Sequence, residues 1–282
     1  MHNKMFKKIT KIRCVIFILI CSSTALINTV SAQDTTMSQD TDISETTADS
    51  LQTADKQKTD ATIINFSEYQ PGSGQYAVKM TITDDYLRID DSMNAKGFIL
   101  FDRQKKIIYS VSDDNQQIVQ INNQPVAIPS PIELKLSEKK LPVQKDAPLI
   151  EGKSSEHHQF FVNEKLCYEM ISVPGLMPDA VIAMQNFKQV LAGQQAETLR
   201  VIPADLQEGC DLSQNTFHPK RYLQKGFPVM EKGLAQDQKL PEGDKLSAAD
   251  GISYSRLLIN YTQEPVSESL FKLPDYETLP LN

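Results

Sequence analysis

No catalytic signature, no membrane-length apolar run and no excess of positive charge marks this 282-residue chain, and each of these gaps removes a class of function. G-x-S-x-G, H-E-x-x-H, the P-loop, C-x-x-C and the dinucleotide fingerprint are all missing. No local motif therefore supplies an activated serine, a zinc cradle, a phosphate loop or a redox dithiol. The strongly apolar stretch, Cys14 to Ile20, falls well short of the roughly 20 residues a spanning helix needs. The chain holds 29 basic and 36 acidic residues, and five of the basic ones lie in residues 1–32, which contain no acid. Without that segment, 24 basic groups face 36 acids, a charge of −12. Such a balance argues against nucleic acid and against an anionic membrane surface, both of which select basic patches. No Pro/Gly/Ser-rich linker and no internal repeat divides the region after residue 61.

What is present begins with an export address. Lys4, Lys7, Lys8, Lys11 and Arg13 form a basic n-region, the apolar run follows at once, and small residues lead to Val30-Ser31-Ala32. This is the pattern of a secretory leader cleaved after Ala32, which places the mature chain in the periplasm. The rival reading is a lipid-modified Cys21, but Ile20 stands where a lipoprotein signal wants a small residue. Residues 33–61 are mostly Thr, Asp, Ser, Gln and Ala, too poor in apolar groups to offset the entropy of ordering them. They read as a disordered polar linker, and residues 62–282 as one domain. Cys167 and Cys210 remain after the leader. A lone pair in an oxidising compartment favours a disulfide, the alternative being two separate thiols.

Period-2 alternation dominates from residue 62, the mark of strands with one buried face. It runs through Tyr76, Val78, Met80 and Ile82, then Leu87 and Ile89, Phe98 and Leu100, and Ile107, Tyr109 and Val111. It continues in Ile118 to Ile121, Ile132-Leu134-Leu136, His158-Phe160-Val162 and Leu166-Tyr168-Met170, and a last strand is expected over residues 252–261. Connections this short favour antiparallel pairing. Ala180, Ala183, Met184, Phe187, Val190 and Leu191 instead follow helical spacing, with Pro178 near the first turn and Gly193 just past the expected end. The reading is a mainly β, α+β fold: a curved antiparallel sheet or incomplete barrel with an amphipathic helix on its concave face. Residues 203–250 give weak signals, a short helix near 212–224 and then a loop.

Candidate chemistry is sparse. Ser137-Glu138-Lys139-Lys140 matches S-x-x-K but sits at a strand end rather than a helix start. His157 and His158 are adjacent, so a strand sends them to opposite faces, and with only His218 besides them after the leader they do not make a three- or four-ligand metal site. Asp84, Asp85, Asp90 and Asp91 surround a hairpin without the EF-hand spacing. No catalytic residue, metal or cofactor is expected. Asn65-Phe66-Ser67 and Asn260-Tyr261-Thr262 are sequons by pattern only.

The runs Tyr86-Leu87-Arg88-Ile89-Asp90, Phe98-Ile99-Leu100-Phe101-Asp102-Arg103 and Ile107-Ile108-Tyr109-Ser110-Val111, with the tail Ser269-Leu270-Phe271-Lys272-Leu273-Pro274, resemble the periplasmic outer-membrane lipoprotein carriers, the LolA/LolB-like group. They resemble more closely an uncharacterised proteobacterial family of exported proteins related to it. The resemblance covers about two-thirds of the mature domain. It implies a half-barrel whose concave apolar face holds acyl chains, with the helix over 178–192 as a lid. On that implication the lipid-facing residues are Tyr76, Val78, Met80, Leu87, Ile89, Phe98, Leu100, Ile107, Tyr109 and Val111, with Met184 and Phe187 on the lid. The chain departs from the carriers in its 29-residue linker and in the insertion through 203–250. Two functions follow as expectations: a non-enzymatic periplasmic protein binding a lipid or other hydrophobic ligand between sheet and helix, or an envelope module that docks a protein partner without a cavity.

Overall fold

A computed structural model describes residues 57–93, 96–143, 147–203, 206–234 and 252–281. The leader, Ala32, Cys21 and most of the polar linker lie outside the described residues. Twelve strands are present among the described residues: β1 (Lys58–Gln70), β2 (Gly74–Ile82), β3 (Tyr86–Asp91), β4 (Gly97–Asp102), β5 (Ile107–Ser112), β6 (Gln117–Asn122), β7 (Leu136–Leu141), β8 (Glu156–Val162), β9 (Lys165–Val173), β10 (Phe227–Leu234), β11 (Ile252–Ser267) and β12 (Glu277–Leu281). A long helix, α1 (Pro178–Leu199), and a short one, α2 (Gly209–Leu212), complete the regular elements that matter for the site.

All twelve strands form one sheet, ordered β12-β6-β5-β4-β3-β2-β1-β11-β10-β9-β8-β7, and it does not close into a barrel. Two antiparallel meanders, β1 to β6 and β7 to β11, are joined where β1 pairs with β11, the two longest strands at 13 and 16 residues. Only β12 breaks the pattern, adding in parallel to β6. Tight turns explain the meanders: Asn163 and Glu164 both take positive φ, 51° and 66°, as a two-residue hairpin matched to strand twist requires.

The sheet bends around α1. That helix touches β5, β6 and β10, the third, second and ninth strands in the order. In a flat sheet β5 and β10 would stand roughly 29 Å apart at about 4.8 Å per strand, far wider than a helix of about 10 Å. The curved α+β sheet with a helix in its hollow is therefore what the chain forms.

A second layer lies over the helix. Because β6 is second and β7 last in the order, residues 123–135 must cross the hollow. They do so as an extended strap in which Gln124, Val126, Ile128, Ser130, Ile132 and Leu134 are half-buried and the residues between them exposed. A Cβ on Gly193 of α1 would meet the Gln124 backbone, and one on Gly209 of α2 would lie 3.6 Å from Ile132 Cδ1. Asn163 fastens the end of the strap, accepting from Lys135 N and donating to Glu133 O, both at 2.9 Å. The run Ile132-Leu134 thus belongs to the strap, and the strand starts only at Leu136.

Four boundaries differ from the sequence reading. The order starts at Lys58 rather than residue 62, because Lys58 to Ala61 pair with Ser267 to Glu264 of β11. For the same reason β11 runs past residue 261 to Ser267. The helix does not stop before Gly193 but continues to Leu199, and Gly193 is a packing residue under the strap. Within the weak region 203–250, Phe227–Leu234 is a full strand, obscured by Pro228, Gly233 and a bulge between Pro228 and Met230.

Candidate functional site

Register decides which face each candidate occupies. In β1 to β3 the pairs Ile64↔Met80, Phe66↔Val78, Glu68↔Tyr76 and Met80↔Ile89 share the concave face, as does Leu87, paired with Ile82. Tyr76, Val78, Met80 and Leu87 are buried there and Ile89 packs against them. Met184 and Phe187 of α1 meet the same layer, Phe187 edge-on to Phe101 at 5.9 Å. The lid residues and the first five sheet residues therefore do converge.

The other five do not. Leu87 pairs with Phe101 and Ile89 with Ile99, so Phe98 and Leu100 point to the convex face. Tyr109 pairs with Leu100 and Val111 with Phe98, and Ile107 shares their phase, so all three follow. Both phases of Phe98 to Phe101 are apolar because the C-terminal segment forms a second, outer core there. Leu100, Val111 and Ile118 are buried on that side together with Phe271, whose ring stacks on Tyr86 at 5.3 Å. Arg88 stands 3.6 Å over the Phe98 ring and donates to Leu270 O. Phe98, Leu100, Ile107, Tyr109 and Val111 thus share the convex face on which the chain's own tail packs, not the hollow.

At the centre of the concave face lies a polar row that alternation concealed. Tyr76 pairs with Glu68, Glu68 with Arg256 and Arg256 with Glu231, one residue from each of β2, β1, β11 and β10 in lateral register. Arg256 Nε donates to Glu68 Oε1 at 2.6 Å, its Nη1 donates to Glu231 Oε2 at 3.2 Å, and Tyr76 donates to Glu68 Oε2 at 3.1 Å. Both carboxylates are buried, and only 10% of the Arg256 side chain is exposed. The guanidinium also lies 5.0 Å from the Phe66 ring centroid and 5.6 Å from that of Tyr254.

Around this row stand Tyr168, Tyr222 and Tyr254, and Lys188 reaches in from α1. Tyr168 donates to Glu231. Burial, with Glu231 close by, holds the Tyr168 and Tyr222 phenols well above their usual range, and burial does the same for Tyr254. Burial pushes Lys188 down to about 8, against the pull of Glu231 and with the push of Arg256. Glu68, Tyr254 and Glu231 outweigh burial at Arg256 and keep it charged. These phenols keep their protons here, and Tyr168 uses its own toward Glu231. A Glu in the apolar phase after Ile64 and Phe66, and an Arg in phase between Tyr254 and Leu258, were the signals that mark this row in the sequence.

Next to the row, sharing Tyr168 and Tyr222 with it, is a cavity of about 20 Å³ walled also by Phe160, Val162, Cys167 and Cys210. That is room for about one water. Cys167 and Cys210 are bridged, with Cα atoms 5.4 Å apart, tying α2 to β9.

The histidines do not converge. His157 faces outward, 2.8 Å from Glu169, whereas His158 is buried on the concave side beside Glu156 at 3.0 Å. His218 lines the cavity wall with Arg221. Among the described residues no three His, Cys, Asp or Glu could hold a metal ion together. The sequon asparagines bond to each other, Asn65 Nδ2 to Asn260 Oδ1 at 2.7 Å, and Ser137 to Lys140 lie within edge strand β7. Among the described residues no helix is long and apolar enough to cross a membrane. No protein-family model matches the chain, and no curated protein matches it in sequence.

Proposed function

We propose that the chain is a non-enzymatic periplasmic binding protein of the half-barrel type seen in the LolA/LolB-like carriers, taking an amphiphilic ligand between the sheet and α1. The observation that carries this reading is the architecture of the hollow. An unclosed sheet curves around a helix layer, its floor largely apolar but crossed by one buried polar row, with His158 buried apart from it. An interior meant only for stability rarely keeps such a row, since well-packed apolar residues in its place are often neutral or stabilising. The water-sized space beside the row means that a ligand displaces α1 or the strap rather than filling a ready void. Ligand pockets of ~300 Å³ or more are formed that way when a cover moves. Native mass spectrometry of protein purified from its own host tests the proposal, paired with uptake of a fluorescent fatty acid. A co-purified amphiphile mass, or saturable uptake, is the expected result. Neither one appearing refutes it.

The second reading, an envelope module docking a protein partner, draws on Leu257 and Ile259, which stand 51% and 57% exposed on β11. Cross-linking in the intact envelope that recovers a specific partner, lost on Leu257→Asp, favours it over ligand carriage.

A further inference from the structure

Every charged member of the polar row belongs to the sheet except one. Glu68 comes from β1, Glu231 from β10 and Arg256 from β11, whereas Lys188 comes from the covering helix. Its ammonium lies 5.0 Å from the centroid of the Tyr222 ring. Tyr222 sits in the turn that leads into β10 and packs against Tyr168 at 4.9 Å, and Tyr168 in turn bonds Glu231. Lys188 enters no ion pair among the described residues. It is held by an aromatic face and by the more distant attraction of Glu231 and Glu68. Glu231 Oε1 meanwhile is buried without any hydrogen-bond partner, although its side chain is only 2% exposed.

Charge counting gives this arrangement a direction. With Lys188 in place the group is neutral, two carboxylates against two cations. When α1 lifts, the floor keeps Glu68, Glu231 and Arg256 and is left with one net negative charge. Its surplus negative charge sits on carboxylates, Glu231 Oε1 having no hydrogen-bond partner, and the adjoining tyrosine rings attract cations on their faces. An anionic headgroup would meet that surplus charge in a low-dielectric hollow. A neutral one would leave it unbalanced.

We infer that the concave floor is an ammonium-recognition site, filled from within by Lys188 of the covering helix, and that the ligand which replaces Lys188 carries a cationic amine head. This inference rests on the proposed binding function for its apolar chain but not for its head. Lys188 thereby acts as a tethered competitor: a matching ligand takes over its contacts as the helix leaves, so opening the cover costs little for that ligand alone.

Calorimetric titration of the full mature chain tests it with three probes of equal chain length, dodecyltrimethylammonium, laurate and monolaurin, and with tetramethylammonium as a bare head. The proteins are wild type, Lys188→Met and Lys188→Met/Glu231→Gln, with Lys188→Gln in place of the methionine variant should that one lose the fold by circular dichroism. Removing the tethered competitor is expected to tighten dodecyltrimethylammonium about tenfold and to give it about tenfold preference over monolaurin. Tetramethylammonium binding should appear as well, and Glu231→Gln should abolish both effects. A folded Lys188→Met protein that binds monolaurin and laurate as well as the cation overturns the inference and leaves the binding function standing. If no dodecyl probe binds any of the proteins, the binding function falls. Tetramethylammonium then decides the head site by itself, its failure to bind Lys188→Met overturning the inference too.

Discussion

Replacing Arg256 with Met isolates the buried row, because one guanidinium serves both carboxylates. At charge centres about 4 Å apart and an effective dielectric of ~20, each contact is worth about 4 kcal/mol before desolvation. Desolvating three ions cancels most of that sum, so the intact row is close to neutral for stability. The substitution keeps the cost and removes the compensation. Glu68 retains only Tyr76 as a donor and Glu231 only Tyr168, both of them neutral. The expected loss is about 4 kcal/mol, within the range of about 3–5 kcal/mol for breaking buried pairs, and a drop in Tm of roughly 10 °C for a domain of this size. Urea denaturation with an unchanged slope measures it. The triple variant Arg256→Met/Glu68→Gln/Glu231→Gln should regain part of the loss, since no carboxylate then stays uncompensated in the interior and only Lys188 keeps its charge. A single variant that loses under about 1 kcal/mol, or a triple variant no better than the single one, refutes the reasoning.

Other perturbations probe the layers around the row. Removing the disulfide with Cys167→Ala/Cys210→Ala frees a separation of 43 residues. That should cost about 4 kcal/mol on the chain-entropy account, read as a lower urea midpoint that reductant reproduces in the wild type. Phe271→Ala, which empties the centre of the outer core, should cost about 3 kcal/mol; a loss below about 1 kcal/mol would mean the tail is not seated on β3 to β6. For Lys188 the group titrates at about 8 in the fold and about 10.4 in the unfolded chain. The fold therefore binds fewer protons between those values, and its stability relative to Lys188→Met rises as pH climbs from about 8 to 10. The charges acting on the ammonium are Glu231, Glu68 and Arg256, so the comparison with Lys188→Met, which keeps all three, cancels their own titrations. At pH 7 Lys188→Met should be at least as stable as wild type. A variant that is markedly weaker at pH 7, with no change in the gap by pH 10, contradicts the assignment of a desolvated ammonium.

How far the sequence could be read depended on whether a strand has one covered face or two. Tyr76, Val78, Met80, Leu87 and Ile89 alternate against a solvated face, and their side was legible. Phe98 to Phe101 and Ile107 to Val111 are apolar in both phases, since the hollow covers one side and residues 268–271 the other. Nothing local tells those sides apart, because the covering segment arrives from more than 150 residues away. Strand β10 escaped notice for the opposite reason, its buried phase being occupied by Glu231 and Gly233 rather than by large apolar groups. The polar row itself was present as single anomalies in β1, β10 and β11. Each reads as a solvated charge until register sets Glu68, Arg256 and Glu231 side by side. The cysteine pair was legible from its count together with the expected export.

On the proposed binding function, where the hollow opens depends on how its cover is fastened. The disulfide holds α2 to β9, Arg221 donates to the backbone oxygens of Ser137 and Phe161, and Lys225 pairs with Glu138 at 2.6 Å. The far end of the cover is tied by Arg103, which grips Asp179 in the first turn of α1 through both terminal nitrogens, at 2.9 and 2.6 Å. Between these anchors the cover depends on the strap lying flat on α1, and that contact exists only because residue 193 lacks a Cβ. An alanine there would press on the Gln124 backbone, 2.9 Å from its carbonyl carbon. Helix propensity favours Gly193→Ala by about 1 kcal/mol, while overpacking against main chain costs about 1–3 kcal/mol. The net change in stability is therefore small, but the strap must rise. Uptake of dodecyltrimethylammonium by Gly193→Ala should then be several-fold faster than by wild type in stopped-flow mixing, with the final affinity changed much less. An unchanged rate in a variant stabilised by about 1 kcal/mol would show that the strap yields freely and that admission is limited at the Arg103–Asp179 end instead.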